Sequence, residues 1–376
     1  EVQAGYAHVT DEPLGRLHFI IKTTPGAIPN YDLKDIEARL IEAGRSWGDR
    51  LKSALVEHHG EARGSTLFNA FGDSFPTNYR ERYSARTAVY DCVRMEAALE
   101  SGALGMNLYR PIEADDNALS FKIYNAGDNV ALSDIMPMLE NMGLKVMAED
   151  SFTVTPHRVK QPIRIHDFAL VTGDGAAVDY GAVRDVFHDS FARVWRGDIE
   201  DDGFNRLVLC ARLSWREVVL IRAFAKFLRQ AQIPFSQAYM EETLAAYPDL
   251  TRLLVRLFGL RLDPEFDGDR DGLEGTLGAA IEQTFDSVAN LDEDRILRRF
   301  FNLIDSTLRT NFFCTNANGE PEMTVAFKFD SRALDELPLP KPMREIWVYC
   351  PRFEAVHLRF GLVARGGLRW SDRRED

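Results

Sequence analysis

The chain has 376 residues, 45% of them hydrophobic and 27% charged, which is the composition of a globular protein and predicts about two or three domains. Its formal net charge of −13 argues against a nucleic-acid partner and against binding to an anionic membrane surface. No apolar run reaches the ~18–20 residues that a membrane-spanning helix requires, so no such helix is predicted.

The two ends of the sequence predict a piece of a longer, cytoplasmic protein. Glu1 is not an initiator methionine, no basic and apolar signal segment follows it, and the sequence stops abruptly at Asp376. Four cysteines are widely separated along the chain: Cys92, Cys210, Cys314 and Cys350. This spacing predicts buried, reduced thiols rather than a metal or redox site, so we expect no metal cofactor.

The first part of the chain is predicted to begin with a strand and to continue with helices. Residues 17–22 form a short apolar run before a turn, which predicts a strand. Apolar residues then recur at helical spacing from Asp32, a predicted N-cap, to Gly60, where the helix is expected to end. Residues 64–100 are predicted to be helical, with one break at Pro76.

The following segment shows a clear mixed pattern. Strand-like alternation and helical spacing predict two strands, a helix, two strands and a helix, over residues 106–110, 118–124, 133–141, 145–155, 163–171 and 179–195. Ser133 is the predicted N-cap of the first helix, and Gly143 is the glycine that ends it. This order predicts an α/β sandwich in which helices cover one face of a largely antiparallel sheet.

Helices and then strands are predicted for the remainder. Residues 205–311 are predicted to be almost entirely helical, with a capping box of Ser214 and Glu217 before an apolar helix. The apolar faces of 211–228 and 250–260 fit either a core or a subunit contact, and the core interpretation is preferred. Three strands that indicate the start of a new α/β domain follow at 323–329, 345–349 and 356–360.

Three features invite a chemical interpretation that their surroundings do not support. The segment 267–272 opens like an EF-hand calcium loop, but Gly278 stands where the closing glutamate is required, so a solvated loop before a helix is predicted. The acidic run 198–202 is interpreted as a polar loop with an acidic helix start. His166 and His357 are interpreted as hydrogen-bonded structural histidines rather than as catalytic bases.

The stretch 363–373 contains two adjacent glycines between two arginines. Gly366 and Gly367 let a backbone approach a ligand closely, because neither has a Cβ. Arg365 and Arg369 offer planar guanidinium groups that suit a carboxylate or a phosphate. On these residues alone, a tight turn with solvated arginines is the simpler interpretation.

Several segments together resemble the very large NAD-dependent glutamate dehydrogenases of bacteria. The matching segments keep the family's order along nearly the whole chain, at 75–81, 213–218, 235–239, 290–300 and 364–373. The resemblance implies an α+β chain of ACT-like (ferredoxin-like) α/β sandwich units, a helical region and the first strands of an α/β catalytic domain. The implied domains are a partial ACT-like unit plus helices at 1–102, an ACT-like sandwich unit at 103–197, a helical domain at 198–312 and a truncated catalytic domain at 313–376.

The resemblance also implies an oxidoreductase of glutamate catabolism, which converts L-glutamate, NAD and water into 2-oxoglutarate, ammonia and NADH. In this family a lysine that holds a substrate carboxylate precedes the substrate-binding glycine pair, and here Arg365 stands before Gly366 and Gly367. The catalytic lysine and the NAD-binding domain are expected beyond Asp376. The fragment itself is therefore expected to be inactive.

ACT-like units commonly bind an amino acid at a glycine-containing turn between the first strand and the helix. Pro25, Gly26 and Gly127 lie in comparable turns here, and either ligand binding or a need for positive φ explains the glycines. Two hypotheses remain open. One is the regulatory and assembly region of a homo-oligomeric glutamate dehydrogenase under allosteric control, and the other is an amino-acid-binding or oligomerisation module without a catalytic role.

Overall fold

The computed structural model describes residues 2–8, 16–22, 32–127, 130–157, 159, 161–361 and 368–371. Internal contacts divide the chain into two compact units, Glu1–Asp73 with Thr77–Tyr90, and Ser74–Pro76 with Asp91–Asp376. Among the helices in these ranges, none combines the length and the apolar character that crossing a bilayer demands.

The first unit begins with an antiparallel hairpin of β1, Val2–His8, and β2, Arg16–Ile21. The strand predicted at 17–22 is confirmed, whereas β1 has no counterpart among the predicted strands. Helix α1, Leu33–Gly44, follows, and the Asp32 carboxylate accepts a hydrogen bond from the Lys34 backbone N–H at 2.9 Å. The apolar side chains of α1 are exposed rather than packed: Leu33, Ile36, Leu40 and Ile41.

Three helices follow: α2, Trp47–Phe71; α3, Thr77–Arg82; and α4, Ala85–Ser101. Helix α2 starts with a capping box, in which the Ser46 hydroxyl accepts a hydrogen bond from the Asp49 backbone N–H at 3.1 Å. The helix end predicted at Gly60 is correct only in part. Gly60 has a φ of 77°, so the helix is interrupted there, but it resumes immediately afterwards.

The second unit opens with the alternation of strands and helices that its sequence predicts. Its elements are β3, Gly105–Tyr109; β4, Ala118–Ala126; α5, Leu132–Asn141; β5, Leu144–Val154; β6, Ile163–Thr172; and α6, Tyr180–Trp195. The sheet order is β3-β4-β6-β5, and every neighbouring pair is antiparallel. Moving the last strand of a ferredoxin-like βαββαβ unit to the front produces this order, so the sandwich is a circularly permuted ferredoxin-like unit.

Both faces of this sheet are covered, so the prediction of one covered face was wrong. On one face, Phe121 of β4 packs against Phe187 and Phe191 of α6, with ring centroids 5.2 and 4.9 Å apart. On the other face, Lys122 is buried against Asp91, which lies near the middle of α4. Local periodicity could not show this, because the covering helix comes from an earlier segment of the chain.

The caps of the two sandwich helices differ from one another. Helix α5 follows Ala131, whose φ of −76° and ψ of 138° are those of the N-cap, so the prediction that Ser133 is the N-cap was wrong. The predicted helix-ending glycine is confirmed, since Gly143 has a φ of +83°. Helix α6 is capped by Asp179, whose carboxylate accepts from the Ala182 backbone N–H at 3.3 Å.

A helical body follows the sandwich. Its helices are α7, Leu207–Cys210; α8, Trp215–Gln230; α9, Gln237–Ala246; α10, Pro248–Leu262; α11, Arg270–Phe285; and α12, Leu291–Ser306. The capping box before α8 is confirmed, because the Glu217 carboxylate accepts from the Ser214 backbone N–H at 2.7 Å. The apolar faces of α8 and α10 are buried in the main core, which confirms the core interpretation.

The chain then forms a five-stranded antiparallel sheet with the order β11-β10-β9-β8-β7. Its strands are β7, Thr307–Thr310; β8, Val325–Phe329; β9, Arg344–Cys350; β10, Phe353–Arg359; and β11, Leu368–Ser371. The prediction of a helix up to residue 311 was wrong for β7. Thr307 pairs with Phe329 across the sheet, and this long-range pairing outweighs the local helical pattern.

The two faces of the five-stranded sheet are unequally buried. Trp347 and Tyr349 of β9 are fully buried, and the Trp347 indole N–H donates to the Ala223 carbonyl of α8 at 3.0 Å. The alternate residues Ile346 and Val348, on the opposite face, are only half-buried. Helix α8 therefore covers the first face of the sheet.

All four cysteines are free thiols. Cys92 and Cys350 are buried, as predicted, and burial raises the pKa of the Cys92 thiol well above its ordinary value. The prediction was wrong for Cys314, which is exposed in the turn between β7 and β8.

Candidate functional site

Five of the six predicted site residues lie outside the described part of the chain: Arg365, Gly366, Gly367, Pro25 and Gly26. The structure does describe the strand that follows the glycine pair, β11, in which Leu368 pairs with His357 of β10. Strand β11 forms the edge of the five-stranded sheet.

Gly127, the sixth predicted residue, ends β4 and begins the turn toward α5. Its φ of +121° lies in the region that favours glycine, and a Cβ there would stand 3.3 Å from the Gln161 side-chain nitrogen. Its carbonyl accepts a hydrogen bond from Arg164 at 3.1 Å, and its N–H donates to the Pro162 carbonyl at 3.4 Å. Both backbone groups are thus engaged within the sandwich, which supports a conformational reason for this glycine.

A buried charge cluster lies on the second face of the four-stranded sheet. The Lys122 ammonium is 2.8 Å from an Asp91 carboxylate oxygen and 3.9 Å from an Asp167 carboxylate oxygen. The Tyr124 hydroxyl donates to Asp91 at 2.7 Å, and the Tyr109 hydroxyl donates to Asp167 at 2.7 Å. Burial and the Asp167 carboxylate raise the pKa of Tyr109 above its ordinary value, so this phenol stays a donor at neutral pH.

This cluster joins α4 to the sheet through charges that water does not reach. A buried ion pair contributes little net stability compared with an apolar pair, but loss of one partner is costly. Nearby, Nδ1 of His166 on β6 is hydrogen-bonded to Glu149 of β5 at 2.8 Å, so the predicted hydrogen-bonded histidine is confirmed at this ring nitrogen. Its buried Nε2 has no hydrogen-bond partner among the described residues. The cluster therefore acts as a specific fastening of α4, and no group in it is poised for chemistry.

A second charge cluster centres on Arg222 of α8, which is fully buried. Its guanidinium binds Asp202 in a bidentate manner, with both nitrogen–oxygen distances at 2.8 Å, and also donates to Asn205 at 2.7 Å. Burial alone would lower the pKa of Arg222, but Asp202 and Tyr349 together outweigh it, so the pKa lies above its ordinary value. Gln237 of α9 donates to the same carboxylate at 3.2 Å.

The Arg222 cluster extends into the five-stranded sheet and into the sandwich. The Tyr349 hydroxyl of β9 donates to the Glu200 carboxylate, which lies 3.5 Å from Arg222. On the other side, Asn141 at the end of α5 donates to Asp201 at 3.0 Å. The segment that contains residues 200–202 thus contacts the sandwich, the helical body and β9.

The acidic run 198–202 is therefore more than the predicted polar loop. Asp202 does cap a short helical turn, Gly203–Arg206, as an acidic helix start would, but its carboxylate also neutralises a buried arginine. A sequence signal for this pairing exists, because Arg222 interrupts an otherwise apolar helical run. The partner could not be identified from sequence, since it lies twenty residues away.

The pKa values of titratable groups at the covered face of the five-stranded sheet are also shifted. Burial raises the pKa of Glu345 to about 7, and it raises the pKa of Glu354 above its ordinary value. Burial lowers the pKa of Lys226 on α8, whose ammonium is 3.7 Å from Glu200. These groups line the contact between α8 and the sheet.

The calcium-like segment 267–272 starts a helix. Asp269 is the N-cap of α11, and its carboxylate accepts from the Gly272 backbone N–H at 3.0 Å. The prediction of a loop before a helix is confirmed. Across the described ranges, no group of three or more His, Cys, Asp or Glu side chains is arranged to hold a metal ion.

Five family models match successive segments of the chain. The glutamate dehydrogenase models are the ACT2 domain at 2–48, helical motif 2 at 54–98, the ACT3 domain at 103–183 and helical motif 3 at 199–264. The fifth model is the catalytic domain of bacterial NAD-glutamate dehydrogenase, at 280–376. The chain belongs to the bacterial NAD-glutamate dehydrogenase family.

Individual relatives agree with this family. The chain is 42% identical over 373 residues to the NAD-specific glutamate dehydrogenase of Pseudomonas aeruginosa and 40% identical over 370 residues to that of Halomonas elongata. It is 35% identical over 392 residues to that of Mycobacterium tuberculosis. These alignments cover 98% of this chain but only 23–24% of the relatives, so the chain spans about a quarter of their length.

The two charge clusters lie where segments of this glutamate dehydrogenase family meet. Asp91 falls in helical motif 2 and Lys122 in the ACT3 domain, so the first cluster joins those two segments. Glu200 and Arg222 fall in helical motif 3, and Tyr349 falls in the catalytic-domain segment. The match to the catalytic-domain model begins at residue 280, within α11, whereas the predicted boundary at 313 stays a prediction.

Proposed function

We propose that the protein containing this chain is an NAD-dependent glutamate dehydrogenase that converts L-glutamate, NAD and water into 2-oxoglutarate, ammonia and NADH. The observation that carries the proposal is the order of the five matched segments, which includes the catalytic-domain segment. The relatives at 42% and 40% identity bear the name NAD-specific glutamate dehydrogenase. We also infer a cytoplasmic homo-oligomer, to be tested by light scattering of the purified protein.

Within that protein, this chain would supply regulatory and assembly domains together with the first strands of the catalytic domain. The described residues do not fit NAD, because dinucleotides bind at the carboxyl ends of parallel strands and the three described sheets are antiparallel. We therefore derive no catalytic step through the cofactor here. The stretch with Arg365, Gly366 and Gly367 remains our proposed substrate-binding contribution.

The Arg222 cluster supports a role in assembly. Buried charges must keep their partners, so α8, the segment with Asp202 and β9 are constrained to one arrangement. A displacement of α5 in the ACT-like unit would act on the same segment through Asn141 and Asp201. This contiguous set of contacts gives an effector bound to that unit a physical route to the catalytic-domain strands.

The test compares the full-length protein with the isolated 376-residue chain. The full-length protein should form NADH when supplied with glutamate and NAD, and the isolated chain should form none under the same conditions. Full-length protein that folds but does not oxidise glutamate would refute the proposed activity. Turnover by the isolated chain would refute the proposed division of roles.

The second candidate is an amino-acid-binding or oligomerisation module without a catalytic role, which the permuted ferredoxin-like sandwich favours. A thermal-shift screen of the chain against amino acids, 2-oxoglutarate and NAD tests it. A ligand at 100 times its Kd should stabilise its domain by about 2.7 kcal/mol. Stabilisation by an amino acid that Gly127→Ala removes would place the effector at the β4–α5 turn; no stabilisation by any amino acid would leave assembly as the proposed role.

A further inference from the structure

A row of cationic and apolar side chains crosses the half-buried second face of the five-stranded sheet. Arg309 of β7 pairs with Lys328 of β8, Lys328 pairs with Ile346 of β9, and Ile346 pairs with His357 of β10. Directly paired residues of antiparallel strands point to the same face. At the edge of the sheet, the backbone of His357 pairs with that of Leu368 of β11.

The face of this row follows from strand alternation. Val325, Phe327 and Phe329 of β8 are fully buried, whereas Lys328 lies between the last two and is half-buried. Ile346 and His357 are half-buried as well. These three side chains therefore share the face opposite α8.

Positive charge on this row lacks a counter-charge from the described residues. Lys328 makes no ion pair with any residue in the described ranges, and its neighbour across the ladder is another cation, Arg309. Like charges directly opposite each other destabilise a sheet. The nearest acidic residue along the chain from Lys328 is Asp330, which forms an ion pair with Arg344 at 2.8 Å.

His357 supplies a second observation. Its Nε2 atom is buried and has no hydrogen-bond partner among the residues that the structure describes. A buried polar atom without a partner costs about 1–3 kcal/mol, so such an atom commonly faces a water molecule or a ligand. The interpretation of His357 as a hydrogen-bonded structural histidine is therefore not supported by its Nε2 atom.

The spacing of the row matches a molecule with two charged ends and an apolar middle. Strands in a sheet are about 4.8 Å apart, so Lys328 and His357, two strands apart, have backbones separated by about 10 Å. Ile346 lies between them. A dicarboxylate such as glutamate or 2-oxoglutarate has carboxylates that Lys328 and His357 can bind and methylene groups that Ile346 can contact.

We propose that Lys328, Ile346 and His357 form a dicarboxylate-binding row on this face of the five-stranded sheet. This inference rests on the proposed function, because it assigns the bound dicarboxylate as the substrate. Lys328 and His357 are then substrate-binding residues.

The experiment uses the full-length protein with Lys328→Gln, His357→Gln and the control Arg309→Gln, which removes an exposed cation of the neighbouring strand β7, outside the proposed binding row. Loss of a charge-assisted hydrogen bond should raise the KM for glutamate and for 2-oxoglutarate about ten- to a hundredfold. The KM for NAD should stay within about twofold of the wild type, since the described residues do not fit that cofactor. Lys328→Arg should recover most of the affinity, and Arg309→Gln should change it less than about threefold.

Binding of glutarate, measured by calorimetry, provides a readout that does not need turnover. Wild-type protein that binds glutarate but does not oxidise glutamate would refute the proposed function while leaving the row intact. Folded Lys328→Gln and His357→Gln proteins with unchanged KM and unchanged glutarate affinity would overturn the row. An equal loss in Arg309→Gln would also overturn it, because the effect would then be a general one of surface charge.

Discussion

The four-stranded and the five-stranded sheets of the second unit are both antiparallel, but they are covered differently. The four-stranded sheet has helices on both faces, and its second face holds the buried Lys122 and Asp91. Helix α8 packs on one face of the five-stranded sheet, and on the opposite face Ile346 is half-buried. Buried charge serves to fasten a helix in the first sheet, while the opposite face of the second sheet is the one on which we propose a ligand site.

This difference shows that similar strand patterns acquire different roles from what packs on them. On a doubly covered sheet, a charged residue must find an internal partner, because burying an unpaired charge is costly. On a half-covered sheet, cations can remain without an internal partner and can bind an anion from solution. The predictions below test this contrast, from the largest expected change to the smallest.

Replacement of Lys122 by methionine should have the largest effect. It removes the ammonium that neutralises Asp91 inside the four-stranded sheet, so the free energy of unfolding should fall by about 3–5 kcal/mol. Urea unfolding of the chain measures the change. Lys145→Met, an exposed lysine of β5, should change it by less than about 0.5 kcal/mol. Equal effects at the two positions would contradict the proposed difference in burial.

Glu345 should make stability depend on pH at the covered face of the five-stranded sheet. Burial raises its pKa from 4.5 to about 7, so the folded state favours the protonated acid. Its stabilising contribution is complete below pH 4.5, declines as the pH rises, and is lost above pH 7.

The variant Glu345→Gln should therefore match the wild type at pH 4.5 and exceed its free energy of unfolding by about 3 kcal/mol at pH 8. Denaturant unfolding across this pH range measures the difference. Glu320→Gln, at an exposed position before β8, should show no such divergence. A constant difference between Glu345→Gln and wild type at all pH values would show that the carboxyl is not responsible.

Tyr349→Phe should weaken the contact between β9 and the segment that contains Glu200. The lost bond joins a buried hydroxyl to a carboxylate, so the free energy of unfolding should fall by about 1.5 kcal/mol. Tyr247→Phe removes a similar bond to Glu293, but near the surface, and should cost less than about 0.5 kcal/mol. A Tyr349→Phe protein as stable as Tyr247→Phe would argue against a fastening role for the Arg222 cluster.

The smallest effect is expected on the face of the five-stranded sheet opposite α8. Val348→Thr places a hydroxyl on that half-buried face and should change the free energy of unfolding by less than about 0.5 kcal/mol. Val325→Thr places the same hydroxyl on the fully buried face and should cost about 1–3 kcal/mol. Calorimetric unfolding of the pair compares the two faces directly, and equal costs would contradict the assignment.

Much of the secondary structure could be predicted from the sequence because its signals are local. The alternation in 118–124 identifies β4, and the Ser214 capping box identifies the start of α8. The prediction failed at β7, where Thr307 pairs with Phe329 across the sheet. The sequence also did not predict that α4 packs on the second face of the four-stranded sheet.

The candidate sites, like the secondary structure, could be predicted from the sequence only in part. The order of the family's motifs along the chain was enough to predict NAD-glutamate dehydrogenase domains, which the matched segments confirm. The substrate role of Arg365, Gly366 and Gly367 stays a prediction, as does a ligand at Gly127. The partners of Lys122 and Arg222 could not be predicted, because charge pairing depends on which distant segments meet.

The sequence by itself therefore determined the family, through its motifs, and the start of α8, through a capping box of neighbouring residues. Only the tertiary structure decided which charges are buried together and which sheet face α8 covers. Asp202 and Lys328 illustrate this, because both are ordinary charged residues in the sequence. One neutralises Arg222 in the core, and the other lies half-buried beside Ile346 on the sheet face opposite α8. Burial and partner identity are set by packing between distant segments, and the local sequence does not contain that information.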